Sequence, residues 1–192
     1  LGKLAPSFIG MGGHVAKGRE LTIDQTALKA YPQLSEIRHV HHGGNSSGVV
    51  DGASAVLLAS PSYAKAHGYT PRARITMAAV AGDEPVIMLT APGPATDLVL
   101  QKAGMTLSDI DLFEVNEAFA AVVLRWLRYT GADWDKVNVN GGAMALGHPI
   151  GATGGMLIGT LVDELERRDL TTGLVTMCTG GGMATATIIE RI

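Results

Sequence analysis

From Pro71 onward the sequence alternates between two hydrophobic rhythms, and this alternation restricts the possible folds more than any other feature. ARITMAAVAG (73–82) reads as a strand. Pro94 to Ala103 reads as a helix closed by Gly104, a residue that accepts the left-handed backbone with which helices end. DIDLFEV (109–115) is a second strand, followed by a helix through NEAFAAVVLRWLRYTG that ends at Gly131. KVNVNGG (136–142) reads as a third strand, and a glycine-rich loop then leads into a helix from about Ala152 to Arg168. GLVTMCTG and MATATIIERI close the chain as two strands, joined by a link short and glycine-rich enough for an antiparallel hairpin. The order β-α-β-α-β-α-β-β predicts an α/β unit with helices laid on a sheet.

Upstream of a boundary near Thr70–Arg72 the pattern is weaker. Residues 1–38 carry scattered Gly and Pro around one short helical candidate, Ile23 to Ala30. GNSSGVVDG is a glycine-rich turn, and the apolar run Ala53 to Ala59 after it reads best as a buried strand, with a buried helix as the other option. Ser60 and Pro61 have the residue types that cap and start a helix, here reaching His67.

Composition narrows the partners. The 192 residues are 46% hydrophobic and 17% charged, against roughly 25% charged in an average soluble domain. That shortfall points to extra buried surface, such as a subunit or domain interface. A net charge of −3 gives no general attraction to nucleic acid or to an anionic membrane. No apolar run is long enough to span a bilayer. The single cysteine, Cys178, excludes an internal disulfide and fits a reducing compartment. The chain opens at Leu1 without Met, so the lack of a visible targeting signal carries little weight.

Three junctions hold the residue types that chemistry needs. In NVNGGAMALGHPIGATGG (138–155), His148 sits between Gly147 and Pro149 just before a helix. Free N–H groups and the positive end of the helix disfavour an imidazolium there, so His148 is either a neutral base or a solvent-facing turn residue. Cys178 ends a strand before Gly180-Gly181-Gly182: a reactive thiol beside bare amides, or an inert small hydrophobe. Asn116 at the start of NEAFA is an N-cap or a site residue, and Glu114 and Glu117 are candidate general acids or bases. Asn116, His148 and Cys178 all fall at or just beyond the carboxyl ends of strands, where open α/β sheets bind ligands. His39, His41 and His42 in HVHHGGN lack a carboxylate or cysteine at ligand spacing, so no metal is expected. GNSSGVVDG lacks the Lys-Ser/Thr ending of a phosphate-binding loop. Trp126 and Trp134 read as helix packing rather than a nucleic-acid platform.

NEAFA, GGAMALGHPIGATGG and CTGGGMATATIIE, in this order and spacing, resemble the C-terminal half of thiolases, and GNSSGVVDGASAVLL resembles the segment before it. The resemblance implies a five-layered αβαβα fold of two similar halves, this chain supplying a βαβαβαββ half from residues 71–192. Residues 1–70 would be the tail of a loop region plus the last strand and helix of the N-terminal half. It further implies that His148 activates a nucleophilic cysteine and polarises the thioester carbonyl. Cys178 would move protons at the substrate α-carbon, and Asn116 would hold a water in an oxyanion hole. The Gly180 N–H would line a second hole, Ser47 would lie near the pantetheine arm, and Phe119 beside the substrate. Coenzyme A enters as a substrate, with no cofactor. A homodimer or homotetramer is implied, with a cytoplasmic location for a bacterial chain and organelle targeting otherwise open.

The departures also carry meaning. The family's nucleophilic cysteine belongs to the N-terminal half, and Cys178 is the only cysteine here, so this chain alone is expected to be inactive. HHGG stands where a Thr-Ala-Gly-type sequence is common, and Gly155-Met156 follow the histidine loop. Two other readings compete: a non-catalytic acyl-CoA or lipid-binding relative, and a ketoacyl synthase-like condensing enzyme. Cys178 argues against the latter.

Overall fold

A computed structural model describes residues 1–192. Before the sheet come three short helices: α1 (Ile9–Gly12), α2 (Ile23–Ala30) and α3 (Pro61–Ala66). Thr22 starts α2 through a reciprocal capping box with Gln25, and Ser60 accepts from the Tyr63 N–H at the start of α3, as their residue types require. The run Ala53–Ala59 is a different matter. It forms neither strand nor helix, and its apolar side chains stand in solvent, Leu57 and Leu58 being 78% and 68% exposed. The expected buried strand is therefore absent.

The sheet has four strands: β1 (Ala73–Gly82), β2 (Leu112–Val115), β3 (Thr172–Thr179) and β4 (Met183–Arg191), in the order β1-β4-β3-β2. β3 and β4 form the expected hairpin, β4 pairs antiparallel with β1, and β2 runs parallel to β3. Between the strands lie α4 (Pro92–Ala103), α5 (Ala120–Thr130), α6 (Ala143–Leu146) and α7 (Thr153–Arg167). Gly104 and Gly131 close α4 and α5 with left-handed backbone at φ 67° and 71°.

Three sequence expectations need correction here. DIDLFEV is a strand only over its last four residues, with a single 3-10 turn at Leu107–Asp109 before it. The helix after it begins at Ala120, so Asn116 is not its cap. KVNVNGG is no strand: only isolated bridges form, Val137 with Phe113 and Val139 with Gly141. Asn138 at φ 47° breaks the extended path. The half is thus β-α-β-α-α-α-β-β from residue 73.

Both faces of the sheet are covered at β2 and β3, while β1 leaves Val80 exposed at the edge. Val99, Phe113, Val115, Trp126, Leu174 and Ile188 build the larger core under α4 and α5. Leu112, Leu157, Leu161, Leu165, Val175 and Ile189 build a second one under α7. Burying each of these large side chains stabilises the fold by about 1.5–3 kcal/mol. Trp126 Nε1 donates to Thr96 Oγ1 at 2.9 Å, which satisfies its only donor inside the first core. Because β2 and β3 are parallel, their carboxyl ends open on one edge of the sheet, where Asn116 follows β2 and Cys178 sits in the last residues of β3.

Candidate active site

Asn116 follows the last residue of β2 and continues its pairing, its N–H donating to Thr176 O at 3.0 Å. Its side chain is buried and reaches His148: Asn116 Nδ2 lies 3.3 Å from His148 Nε2. Asn116 Oδ1 is buried with no hydrogen-bond partner. A buried acceptor without a partner costs about 1–3 kcal/mol, a cost usually found where a site awaits a ligand. On the other side of the imidazole, His148 Nδ1 is 2.6 Å from Thr153 Oγ1, in the first turn of α7. Burial holds the His148 pKa below the ordinary histidine value. Burial thus favours the neutral imidazole, the same direction as the helix terminus.

The glycines around His148 answer to close approach. His148 N–H donates to Gly48 O at 2.9 Å, and the segment 48–56 runs over the histidine loop. Gly147 at φ 93° has Val50 where a side chain would go, Gly52 leaves room for the Pro149 ring, and Gly155 for Ser54. Ser54 Oγ donates to Ala152 O at 2.7 Å, fastening the same crossing. The family departure at Gly155 therefore has a local reason.

Glu117 is not free to act as a general acid or base. Its carboxylate accepts from Asn138 Nδ2 at 3.0 Å and from Met144 N–H at 3.1 Å, bracing the start of α6 against the Asn116 loop. Asn138 also pairs with both backbone groups of Val115. Asn138 and the bracing role of Glu117 escape a sequence reading because their partners lie 21 to 27 residues away in the chain. Glu114 is buried on the α7 side of β2, and burial, then the charges of Glu117 and Glu164, push its pKa up to about 8. With Asn116, Asn140, Gly142, Gly147 and Thr153 it lines a cavity of about 310 Å³.

Ser47 and Phe119 come together beside this pair. Ser47 N–H donates to Ala118 O at 3.0 Å, and Ser46 bridges to Phe119. Phe119 packs edge-on against Phe8 and tilts over His41, with ring centroids 5.6 and 4.7 Å apart. His39 instead pairs with Asp24 at 2.9 Å, and Gly44 N–H donates to His42 Nδ1, so the three histidines go separate ways. Cys178 lies on β3 two residues beyond Thr176, at the same sheet end as Asn116, with Gly180 in the turn that follows. Neither joins the Asn116–His148 hydrogen bonds. Cys178 is buried, and desolvation raises its pKa above the ordinary thiol value. Of the two sequence readings, burial and the raised pKa favour a protonated thiol over a thiolate stabilised by the glycine run.

Comparison with known proteins fits this arrangement. The family model for the thiolase C-terminal domain matches residues 69–191. The steroid 3-ketoacyl-CoA thiolase FadA6 of Mycobacterium tuberculosis is 56% identical over 147 residues, covering 77% of this chain and 36% of that protein. A 3-ketoacyl-CoA thiolase of Aeromonas hydrophila is 42% identical over 205 residues, covering 100% of this chain and 53% of that protein. Among solved structures, the Bacillus anthracis acetyl-CoA acetyltransferase superposes with a TM-score of 0.76 at 45% identity, over 78% of this chain and 38% of that one. Human mitochondrial 3-ketoacyl-CoA thiolase in complex with CoA gives 0.72 at 42% identity, with the same coverages. The chain spans about half the length, or less, of these curated relatives. With its fold, its motifs and these matches in agreement, the chain belongs to the thiolase family, whose C-terminal domain it contains.

Proposed function

We propose that this chain supplies the C-terminal half of a thiolase that cleaves 3-oxoacyl-CoA with coenzyme A, or condenses acyl-CoA in reverse. The observation that carries the reading is the contact of Asn116 with His148 Nε2, with an unpartnered Asn116 Oδ1 beside them and burial favouring the neutral ring. A neutral imidazole takes the proton of an incoming thiol, and the pair then faces the oxyanion that forms. The nucleophilic cysteine comes from an N-terminal half outside this sequence.

In cleavage, that cysteine sulfur bonds to the 3-oxo carbon while His148 takes its proton, and the bond between C2 and C3 breaks. The released enolate takes a proton at its α-carbon from Cys178. A raised thiol pKa suits that step, because the group begins protonated. The Cys178 thiolate then accepts the proton of coenzyme A as its sulfur attacks the acyl-enzyme, and the first cysteine leaves, taking back its proton from His148. The Gly180 N–H serves as an oxyanion donor, Ser47 contacts the pantetheine arm and Phe119 flanks the acyl group. Coenzyme A is a substrate, and no cofactor is needed. A dimer or tetramer accords with the low charge content, and fatty-acid or related acyl-chain breakdown is the setting, in the cytoplasm for a bacterial protein. The name of the Mycobacterium tuberculosis relative favours acyl groups with a bulky ring system among the substrates.

Two assays of acetoacetyl-CoA thiolysis test this. The chain alone should give no turnover, while the assembled protein should. In the assembled protein, Cys178→Ala should slow turnover on the order of 100-fold while acylation of the upstream cysteine persists. Turnover by the chain alone, or wild-type kinetics in Cys178→Ala, would sink the reading.

A further inference from the structure

Thr153 has one hydroxyl proton and two neighbours able to receive it. Its Oγ1 lies 2.6 Å from His148 Nδ1 and 3.0 Å from Pro149 O, and its side chain is buried in the first turn of α7. A hydroxyl donates once but has two lone pairs for accepting. If it donates to Pro149 O, as a threonine in a first helical turn commonly does toward the residue four before it, it must accept from His148 Nδ1–H. The far side of the ring gives an independent constraint. Asn116 Nδ2 points at His148 Nε2, and an amide NH2 only donates, so Nε2 must carry a bare lone pair. Both neighbours demand the same ring: protonated at Nδ1 and open at Nε2. The reverse arrangement needs Thr153 to donate to Nδ1 and the Asn116 amide to be turned over. That would leave the Asn116 NH2, rather than its single oxygen, buried without a further partner.

We propose that Thr153 is a positioning residue that holds the His148 imidazole in its Nδ1–H tautomer, so that Nε2 faces the site as a proton acceptor. The proposal rests on reading His148 as the base of the thiolase site, but its own measurement does not. Pro149 O also receives the Ala152 and Thr153 N–H groups, at 2.7 and 3.0 Å. That carbonyl thus marks the point around which helix start, hydroxyl and ring are set together. A second consequence concerns basicity. A hydroxyl accepting from Nδ1–H stabilises the imidazolium more than the neutral ring, so it counteracts part of the lowering that burial imposes.

The test is a nitrogen-15 spectrum of the assembled protein labelled at histidine, with His148 assigned by its loss in His148→Asn. The wild type should show a protonated Nδ1 and a bare Nε2 near neutral pH. Thr153→Ser should keep that pattern. Thr153→Val, equal in shape but without the hydroxyl, should shift population to the Nε2–H tautomer. In the same variant the acid limb of the kcat/KM profile should move to lower pH, and kcat should fall on the order of 100-fold, with rescue by Thr153→Ser. A wild-type His148 protonated at Nε2, or an unchanged tautomer in Thr153→Val, would overturn the proposal. Should Thr153→Val fail to fold, the wild-type spectrum and Thr153→Ser decide alone. Should the wild type show the expected tautomer yet no thiolysis, the functional reading fails and the role of Thr153 stands.

Discussion

Asn138 does with one side chain what a whole strand was expected to do. Its Oδ1 accepts from Val115 N–H at 2.8 Å and its Nδ2 donates to Val115 O at 2.9 Å, the pairing that a neighbouring strand backbone makes. The same Nδ2 reaches Glu117 Oε1 at 3.0 Å. In VNVN the alternation matched a half-buried strand, whose polar positions face water. Instead one of those polar positions turns inward, and it does so from a left-handed backbone at φ 47°, a conformation that asparagine tolerates better than most residues. Asn138→Ala should therefore destabilise the protein by about 2–4 kcal/mol in urea unfolding, because Val115 loses both partners and the backbone strain remains. It should also loosen Glu117 and with it the start of α6. A loss below about 0.5 kcal/mol would mean that water replaces the amide without cost.

At the level of elements, β2 shows both how much was legible and where legibility stopped. Its four residues are all buried, 113 and 115 toward α4 and α5, 112 and 114 toward α7. β1, β3, β4, α3 and α7 were readable because each carries its own local signal: an apolar run, a cap, a glycine stop. Asn116 and Cys178 fall at one sheet edge because β2 and β3 are parallel, whereas His148 follows α6 rather than the expected strand and meets Asn116 from the loop before α7. What could not be read depends on distant neighbours: the bracing of Glu117 and the inward side of Glu114. With both faces of β2 covered, the polar-out rule fails, and Glu114 lies in the interior with its pKa pushed up to about 8. Its folded-state value is raised above the unfolded one, so its contribution to stability is fully present below the ordinary carboxylate pKa. That contribution is lost as pH rises toward 8. Comparing Glu114→Gln with wild type in unfolding titrations should give a stability difference that grows in favour of the variant between pH 5 and 8. The change should be on the order of a few kcal/mol. A difference flat with pH would place the Glu114 carboxylate in contact with water.

Across the whole molecule, exposed apolar side chains are scattered, and one group of them lies where the chain crosses its own active-site loop. Val49, Leu57 and Leu58 are 103%, 78% and 68% exposed, on a segment whose other side is fastened to Gly147, Pro149 and Ala152. Leaving three large aliphatic side chains in water forgoes roughly 1.5–3 kcal/mol apiece. A segment that is pinned on one side and bare on the other is shaped to be covered by something, and the proposed N-terminal half is the partner that the thiolase reading supplies. The pinning has a functional edge, because whatever covers residues 49–58 presses on the loop that holds His148. Limited proteolysis with thermolysin, which cuts before large aliphatic residues, separates the possibilities. In the chain alone the first cuts should fall between Val49 and Leu58, while β2 to β4 persist, since their amides are paired in the ladder and their side chains lie in the two cores. Adding the N-terminal half should abolish those cuts and restore thiolysis in the same titration. Protection of residues 49–58 in the chain alone, or early cutting that persists in the active assembly, would show that this surface is not the seam between the halves.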